Sequence, residues 1–169
     1  MKKPEDQTNE EWLADHSKPI KEVNNMSEIL TELKKPFDPK LVHTRPGGGG
    51  KILSYLDARD VMRRLDQVCG VHWQCRYPFE GCCEIGINIP DATGKDAWVW
   101  RSNGAGATNI EGEKGQYSDS FKRAAVMWGV GRYLYYLKNL KKGQDGKVMF
   151  PEWALPENYD QFSDVWAKI

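Results

Sequence analysis

The residues with the clearest chemical use in this sequence are two adjacent cations, Lys122 and Arg123. Phe121 and Trp128 have the spacing of a helix that packs along one side, so the backbone under the two cations is held in place. Cations on a packed helix, unlike cations on a flexible tail, form a fixed surface that can bind an anionic polymer. The alternative is an ordinary exposed helix face on which Arg123 pairs with Asp119, four residues earlier.

The charge of the chain is balanced overall but unevenly distributed. It contains 24 basic and 24 acidic residues, and residues 1–39 carry six Lys or Arg and nine Asp or Glu. Residues 114–142, in contrast, carry seven Lys or Arg and a single acid, and residues 40–56 carry three basic residues and no acid. Two basic segments within a neutral protein indicate a localised anion-binding groove rather than a general polycation, although an exposed helix face would show the same charges.

The glycine run Gly47–Gly50 invites comparison with the phosphate-binding loops of nucleotide hydrolases. Such a loop needs Gly, four residues, and then Gly-Lys-Ser/Thr, whereas here Arg45 holds the first position and Ile52 follows Lys51. ATP binding is therefore disfavoured. No Ser/His/Asp grouping or HExxH pattern indicates catalysis, so we expect a protein that is not an enzyme.

Metal binding and membrane insertion also lack their usual sequence patterns. The four cysteines match no paired CxxC zinc motif and are interpreted as buried free thiols, and the histidines are too isolated in sequence to form a ligand pair. No apolar run reaches the ~20 residues of a spanning helix, and the mean hydropathy is −0.68. We therefore expect no metal, no cofactor and no membrane contact, and a cytoplasmic location. The cysteines are Cys69, Cys75, Cys82 and Cys83, and the histidines are His16, His43 and His72.

The elements that must position the cations can be predicted from hydrophobic spacing. A short helix capped by Ser27 is followed, after the glycine loop, by a helix from Asp57 to about Val68. Alternating residues then predict three strands within 71–79, 83–89 and 97–101, with one buried face. A Gly- and Asn-rich loop over 102–116 leads to the long helix, which begins near Ser118 or Asp119. The expected fold class is α+β, an antiparallel β-β-β meander packed on a long helix with flanking short helices. The long helix is expected to bury Phe121, Ala124, Ala125 and Trp128.

Three segments are expected along the chain. Residues 1–25 are polar and acidic, without sustained periodicity, and are predicted to form a flexible arm. Residues 26–142 are predicted to form the core domain, and residues 143–169 a C-terminal loop with a short helix near Tyr159 to Ala167.

Three separated motifs stand out along the chain: the glycine-rich run from Arg45 to Lys51, the segment from Tyr55 to Val61, and the helical segment from Asp119 to Ala124. They occur in the same order in the Rad52/Rad22 family of double-strand break repair proteins, which this sequence resembles. The resemblance covers roughly residues 37–140, and the chain is most similar to the short bacteriophage or prophage members. Those members would place it in the cytoplasm of a bacterial host.

The resemblance implies a ring-shaped oligomer that binds single-stranded DNA in a groove and anneals complementary strands without ATP. It implies that Arg45, Lys122 and Arg123 hold the DNA backbone, and that Lys114 occupies a further basic position. Lys51 is an additional candidate beside the glycine run. A family arginine three residues after the Lys-Arg pair is replaced by Val126 here, so Arg132 is considered as its substitute.

Three alternatives for function remain after this comparison. The first is a recombination protein that anneals strands, with single-stranded DNA and its own copies as partners and a single-strand-binding protein or phage exonuclease as further candidates. The second is a DNA end-protection or scaffold protein that binds single strands without annealing them. The third, an ATP-dependent recombinase, is disfavoured because the sequence lacks the phosphate-binding loop of nucleotide hydrolases.

Overall fold

The computed structural model describes residues 26–89, 93–106, 112–138, 140–143 and 146–169, without the side chains of residues 112–114. The predicted arm over residues 1–25 lies outside this part. Within it, the structure confirms the predicted fold class, a three-stranded antiparallel sheet packed on a long helix with shorter helices around it.

The meander consists of β3 (Trp73–Phe79), β4 (Cys82–Asn88) and β5 (Trp98–Gly104), in the order β3-β4-β5. Two shorter strands before it in the described chain form a separate sheet. The predicted end of the third strand at Arg101 was wrong, because Ser102, Asn103 and Gly104 continue the pairing with β4. Their polar composition predicts a loop, but β4 offers backbone partners along its whole length, and those hydrogen bonds outweigh the weak strand preference of Ser, Asn and Gly.

The long helix, α3, runs from Gly112 to Met127 and packs against β4 and β5. The prediction that Phe121, Ala124, Ala125 and Trp128 are buried is confirmed, since none of the four is exposed. On the sheet side they meet the equally buried Cys83, Ile85 and Ile87. The Trp128 indole nitrogen donates a hydrogen bond to the Ile85 carbonyl at 3.0 Å, which fixes the helix against the central strand.

The predicted start of this helix near Ser118 or Asp119 was wrong, since the helix begins at Gly112. Ser118 and Asp119 are good cap residues, but Glu113 and Gln116 before them favour helix, and the cap preference of an Asp or Ser does not prevent it from lying inside one. The backbone of Lys114 therefore belongs to α3, while its side chain lies outside the described residues.

Among the described residues, two α-helices precede α3. Both match their predicted ranges closely, although Ser27, predicted as the cap of the first, lies inside it. α1 (Met26–Lys34) buries Ile29 and Leu33, and α2 (Ala58–Cys69) buries Val61, Leu65 and Val68 against the same core. Gly70 ends α2 at a positive φ of 55°, as the sequence predicts.

The hairpin in front of α2 was not predicted. β1 (His43–Pro46) pairs with β2 (Ile52–Tyr55) in antiparallel register, so the glycine run forms the connection between them. The Gly47 amide donates to the Lys51 carbonyl at 2.7 Å, and Gly49 adopts a left-handed φ of 68°. A four-residue strand is too short to show a clear alternation in sequence, which explains why only a loop was expected.

The predicted buried face of the first meander strand was wrong. In β3 the alternating residues Cys75, Tyr77 and Phe79 are exposed and only Trp73 is half-buried. The reason is geometric: α3 packs mainly across β4 and β5, whereas β3 is an edge strand that meets α3 through ring contacts of Trp73 with Phe121 and of Tyr77 with Tyr117. For Cys75 this also corrects the expectation of a buried thiol, whereas Cys69, Cys82 and Cys83 are buried and free as predicted.

The C-terminal residues pack against the core rather than apart from it. A small hairpin of β6 (Lys141–Lys142) and β7 (Val148–Met149) leads to 3₁₀ turns and α4 (Ser163–Trp166). The buried Trp166 ring lies 5.8 Å from Tyr133 and 5.7 Å from Trp153. The division of the chain at residue 142 stays a prediction. None of the described helices is long and apolar enough to cross a membrane.

Candidate nucleic-acid interface

A cavity of about 390 Å³ lies between the β1–β2 hairpin and the second half of α3. Its lining combines apolar residues with polar ones and includes four charged side chains: Arg45, Lys122, Arg123 and Asp119. The apolar lining residues include Leu53, Leu56, Val126, Val130 and Leu134. Cations beside low-dielectric walls focus their field into a cleft, which favours an anionic ligand there.

Arg45 reaches this cavity because of the register of the hairpin. It lies opposite Leu53, and His43, two residues earlier, lies opposite Tyr55. Directly opposite residues share one face of an antiparallel pair, so Arg45, Leu53 and Tyr55 lie on the same side of the hairpin. Arg45 itself is exposed, as a residue that contacts a polymer from solution must be.

Lys122 is half-buried and held by two groups. Its ammonium nitrogen lies 2.9 Å from Asp119 Oδ1, one helical turn earlier, and 6.0 Å from the centre of the Tyr55 ring. The ion pair corrects one expectation, since Asp119 pairs with Lys122 and not with Arg123. Residues three apart on a helix are neighbours, so both pairings are geometrically open to Asp119.

Arg123 is exposed at the same edge of the cavity. No ion pair to Arg123 occurs among the described residues, and the backbone carbonyl of Arg123 accepts a hydrogen bond from Asn103 Nδ2 at 3.4 Å. α3 is therefore tied to β5 at this residue, while the guanidinium is directed to solvent beside Lys122. Of the predicted cations with described side chains, Arg45, Lys122 and Arg123 are brought together.

The end of α3 closes the far side of the cavity. Gly131 lines it with a left-handed φ of 67°, and a Cβ atom at this position would lie 2.9 Å from Leu56 Cδ1. Both features require glycine, because any side chain here would be strained and would push Leu56 out of place. The turn lets the 3₁₀ segment Arg132–Tyr136 fold back towards β2.

The structure places the other predicted site residues differently. Arg132 donates hydrogen bonds to the carbonyls of Val126 and Met127 at 2.9 Å each, so its guanidinium caps the C-terminal end of α3. Arg132 and the exposed Lys51 do not line the cavity. A role for either residue, or for Lys114, in DNA binding stays a prediction.

Two aromatic residues at this site were missed from the sequence. Tyr55 and Tyr135 line the cavity and are 38% and 68% exposed. Exposed rings beside cations are a common device for stacking nucleobases. For Tyr55 the signal was its place within the second motif. For Tyr135 none was available, because a run of five mostly aromatic residues does not show which of its rings a 3₁₀ turn leaves exposed.

Comparison with known proteins fits this geometry. A profile of the Rad52/22 family of double-strand break repair proteins matches residues 25–149, which include every element of the cavity. The chain belongs to the Rad52/22 family. Its three motifs therefore correspond to the glycine turn of the hairpin, the passage from β2 into α2, and the cationic side of α3.

Two relatives extend the comparison beyond the Rad52/22 profile. The single-stranded DNA-binding protein DdrA of Deinococcus deserti is 31% identical over 150 residues, which cover 79% of this chain and 73% of the relative. The single-stranded DNA-binding protein DdrA of Deinococcus radiodurans is 29% identical over 150 residues, covering 79% of this chain and 70% of the relative.

Proposed function

We propose that this member of the Rad52/22 family binds single-stranded DNA and anneals complementary strands during recombination and double-strand break repair, as an oligomeric ring and without ATP. One observation carries the proposal: Arg45 from the hairpin and the Lys122-Arg123 pair from α3 meet at one cavity, although they are far apart in sequence. The names of the DdrA relatives support single-stranded DNA as the ligand.

The proposed contact is with phosphates rather than with base edges. The ammonium group of Lys122 and the planar guanidinium groups of Arg45 and Arg123 can each pair with phosphate oxygens. Such contacts position a strand without reading its sequence. The apolar interior with Tyr55 and Tyr135 offers room for a sugar or a stacked base behind the cations. A strand held in this way leaves other bases free to pair.

Annealing needs no further chemical energy in this scheme. The free energy of base pairing drives the reaction, and the protein contributes by holding one strand extended. Repetition of the cavity around a ring supplies many weak contacts along one strand, so a modest affinity per subunit suffices.

The exposed meander strand supports assembly. Among the described residues, β3 pairs only with β4. Its last residue, Phe79, is 68% exposed, and Val71, two residues before the strand, is 89% exposed. An exposed apolar edge strand in a single chain is a surface that another chain can cover. We therefore place the contact between subunits at β3 and the residues around it.

A second candidate is a protein that binds and protects single-stranded DNA or organises it as a scaffold, without annealing. The relatives' names favour it as much as the first candidate, because they specify binding and say nothing of annealing. Both candidate functions use the same cavity and cations, so they differ only in whether the bound strand is annealed to a complementary strand.

An annealing assay separates the two candidates. Two complementary oligonucleotides carrying a fluorophore and a quencher are mixed with the full chain and without nucleotide. Faster quenching than in protein-free buffer supports annealing. Tight binding in a parallel anisotropy titration without faster quenching would leave the protection or scaffold role, and absence of binding would overturn both.

A further inference from the structure

A cluster outside the cationic cavity combines a histidine with two aspartates. One ligand-type atom of each of His43, Asp57 and Asp60 lies within 4.8 Å of the others. His43 Nε2 is 3.3 Å from Asp57 Oδ2, close to the roughly 3.4 Å that separates two ligands of a tetrahedral metal ion with bonds of about 2.0–2.2 Å. We propose that these three residues bind a divalent first-row transition-metal ion, with Zn²⁺ as the favoured occupant.

The donor set suits such an ion. One imidazole nitrogen and two carboxylate oxygens form a three-residue set of the kind that Zn²⁺ accepts, with a fourth position open to water or another oxygen. Mg²⁺ and Ca²⁺ prefer oxygen ligands throughout, so the histidine favours a transition metal. The three residues come from β1, from the position before α2, and from the first turn of α2, so the ion would tie the hairpin to the helix.

The side chain of Asp57 is oriented towards the cluster. It occupies the position before the first residue of α2, where an aspartate normally accepts hydrogen bonds from the helix amides, yet its side chain makes no such bond. Its carboxylate is turned towards His43 instead. An aspartate that contacts a histidine instead of the helix amides has the orientation expected of a metal ligand.

His43 and Asp60 are each oriented by a neighbour. The His43 ring stacks on Tyr55 at 5.4 Å between ring centres, directly across the hairpin. The Asp60 side chain is 11% exposed, and its Oδ1 accepts a hydrogen bond from Arg63 Nη1 at 2.8 Å. Contacts of this kind fix metal ligands in place and are a regular part of metal sites.

Zn²⁺ titration by isothermal calorimetry of the full chain, after treatment with a chelator, tests the site in the absence of DNA. We expect one ion to bind per chain. His43→Gln and Asp57→Ser should each weaken binding by more than the roughly 10- to 100-fold that is typical of a change next to the ligands. Serine at position 57 remains a good residue for the start of a helix, so this variant keeps its fold.

Two controls make the titration decisive. His72→Gln removes an exposed histidine outside the cluster and should leave Zn²⁺ binding unchanged. Cys75→Ser removes the exposed thiol, which is the main competing zinc ligand among the described residues. Equal Zn²⁺ binding by the wild type, His43→Gln and Asp57→Ser would overturn the proposal, as would loss of binding in Cys75→Ser or no binding by the wild type.

Discussion

The ammonium group of Lys122 lies 2.9 Å from the carboxylate of Asp119, so the half-buried cation of the proposed DNA site is already paired in the free protein. DNA phosphate would have to compete with Asp119 for Lys122, while Arg123 beside it is exposed and faces no such competition among the described residues. The two adjacent cations are therefore expected to contribute differently to binding.

Replacing either cation by alanine should weaken DNA binding without unfolding the protein. α3 is anchored by Phe121, Ala124 and Trp128, and alanine is a strong helix former, so Lys122→Ala and Arg123→Ala keep the helix. Each loss of a phosphate contact should reduce the slope of log affinity against log salt by about one unit. Fluorescence anisotropy with single-stranded oligonucleotides at several salt concentrations measures both quantities.

Lys168→Ala is the matched control for these variants, because Lys168 is an exposed cation that lies outside both basic segments and does not line the cavity. It should bind DNA as the wild type does. Normal affinity and normal annealing in the Lys122→Ala/Arg123→Ala double variant would contradict the assignment of the site.

Neutralising Asp119 should have the opposite effect. Asp119→Asn keeps the shape of the side chain but removes the negative charge that pairs with Lys122, so the affinity for single-stranded DNA should rise most clearly at low salt. The same anisotropy titration tests this. A fall in affinity would show that the carboxylate serves mainly to position Lys122.

Deleting residues 1–25 should leave the oligomer intact. This segment lacks the apolar periodicity needed to bury a surface, whereas β3 presents exposed apolar residues to a neighbouring chain. Light scattering coupled to size-exclusion chromatography gives the mass of each form. Monomers after the deletion, from a wild type that assembles, would place the contact in the arm instead.

Alkaline pH should destabilise the fold through Tyr133. Burial raises the pKa of its hydroxyl to about 12, although the oxygen accepts a hydrogen bond from the Phe37 amide at 3.1 Å. Because the ordinary pKa of tyrosine is about 10, the unfolded chain releases this proton first, and stability falls as the pH rises from about 10 through 12. The loss should approach about 3 kcal/mol in urea unfolding measured by circular dichroism.

Tyr133→Phe should make the stability less dependent on pH within that window, because no proton remains to be released from the buried position. Tyr136→Phe is the matched control, since Tyr136 is exposed and its change should leave the pH dependence as it is. An identical alkaline loss of stability in the wild type and in Tyr133→Phe would rule out this role.

Cys75 should be the most reactive thiol at neutral pH. A hydrogen bond from Cys83 lowers the pKa of Cys75 to about 7, while burial raises that of Cys69 to about 12. Because the thiolate is the nucleophile, iodoacetamide at pH 7.5 should label Cys75 well before Cys69, as measured by peptide mass spectrometry. Cys83→Ala should slow the labelling of Cys75, and equal rates at Cys75 and Cys69 in the wild type would be the contrary result.

The sequence alone determined the meander, the long helix and its buried side, because these depend on local spacing. Phe121, Ala124, Ala125 and Trp128 could be assigned to the core from their positions on a helix, and Ile85 and Ile87 from their alternation in a strand. The family and its candidate cations were likewise available from motifs that stay contiguous in the chain.

The tertiary structure decided which of these residues meet and which are covered. Arg45 lines the same cavity as Lys122 only through the register of a hairpin that was too short to predict. Arg132, considered as a substitute for the family arginine at position 126, instead donates hydrogen bonds to the free carbonyls at the end of α3. The exposure of β3 depends on how far α3 extends across the sheet. Hydrophobic periodicity reports which side of an element is buried, but it contains no information about which partner covers that side or where the cover ends.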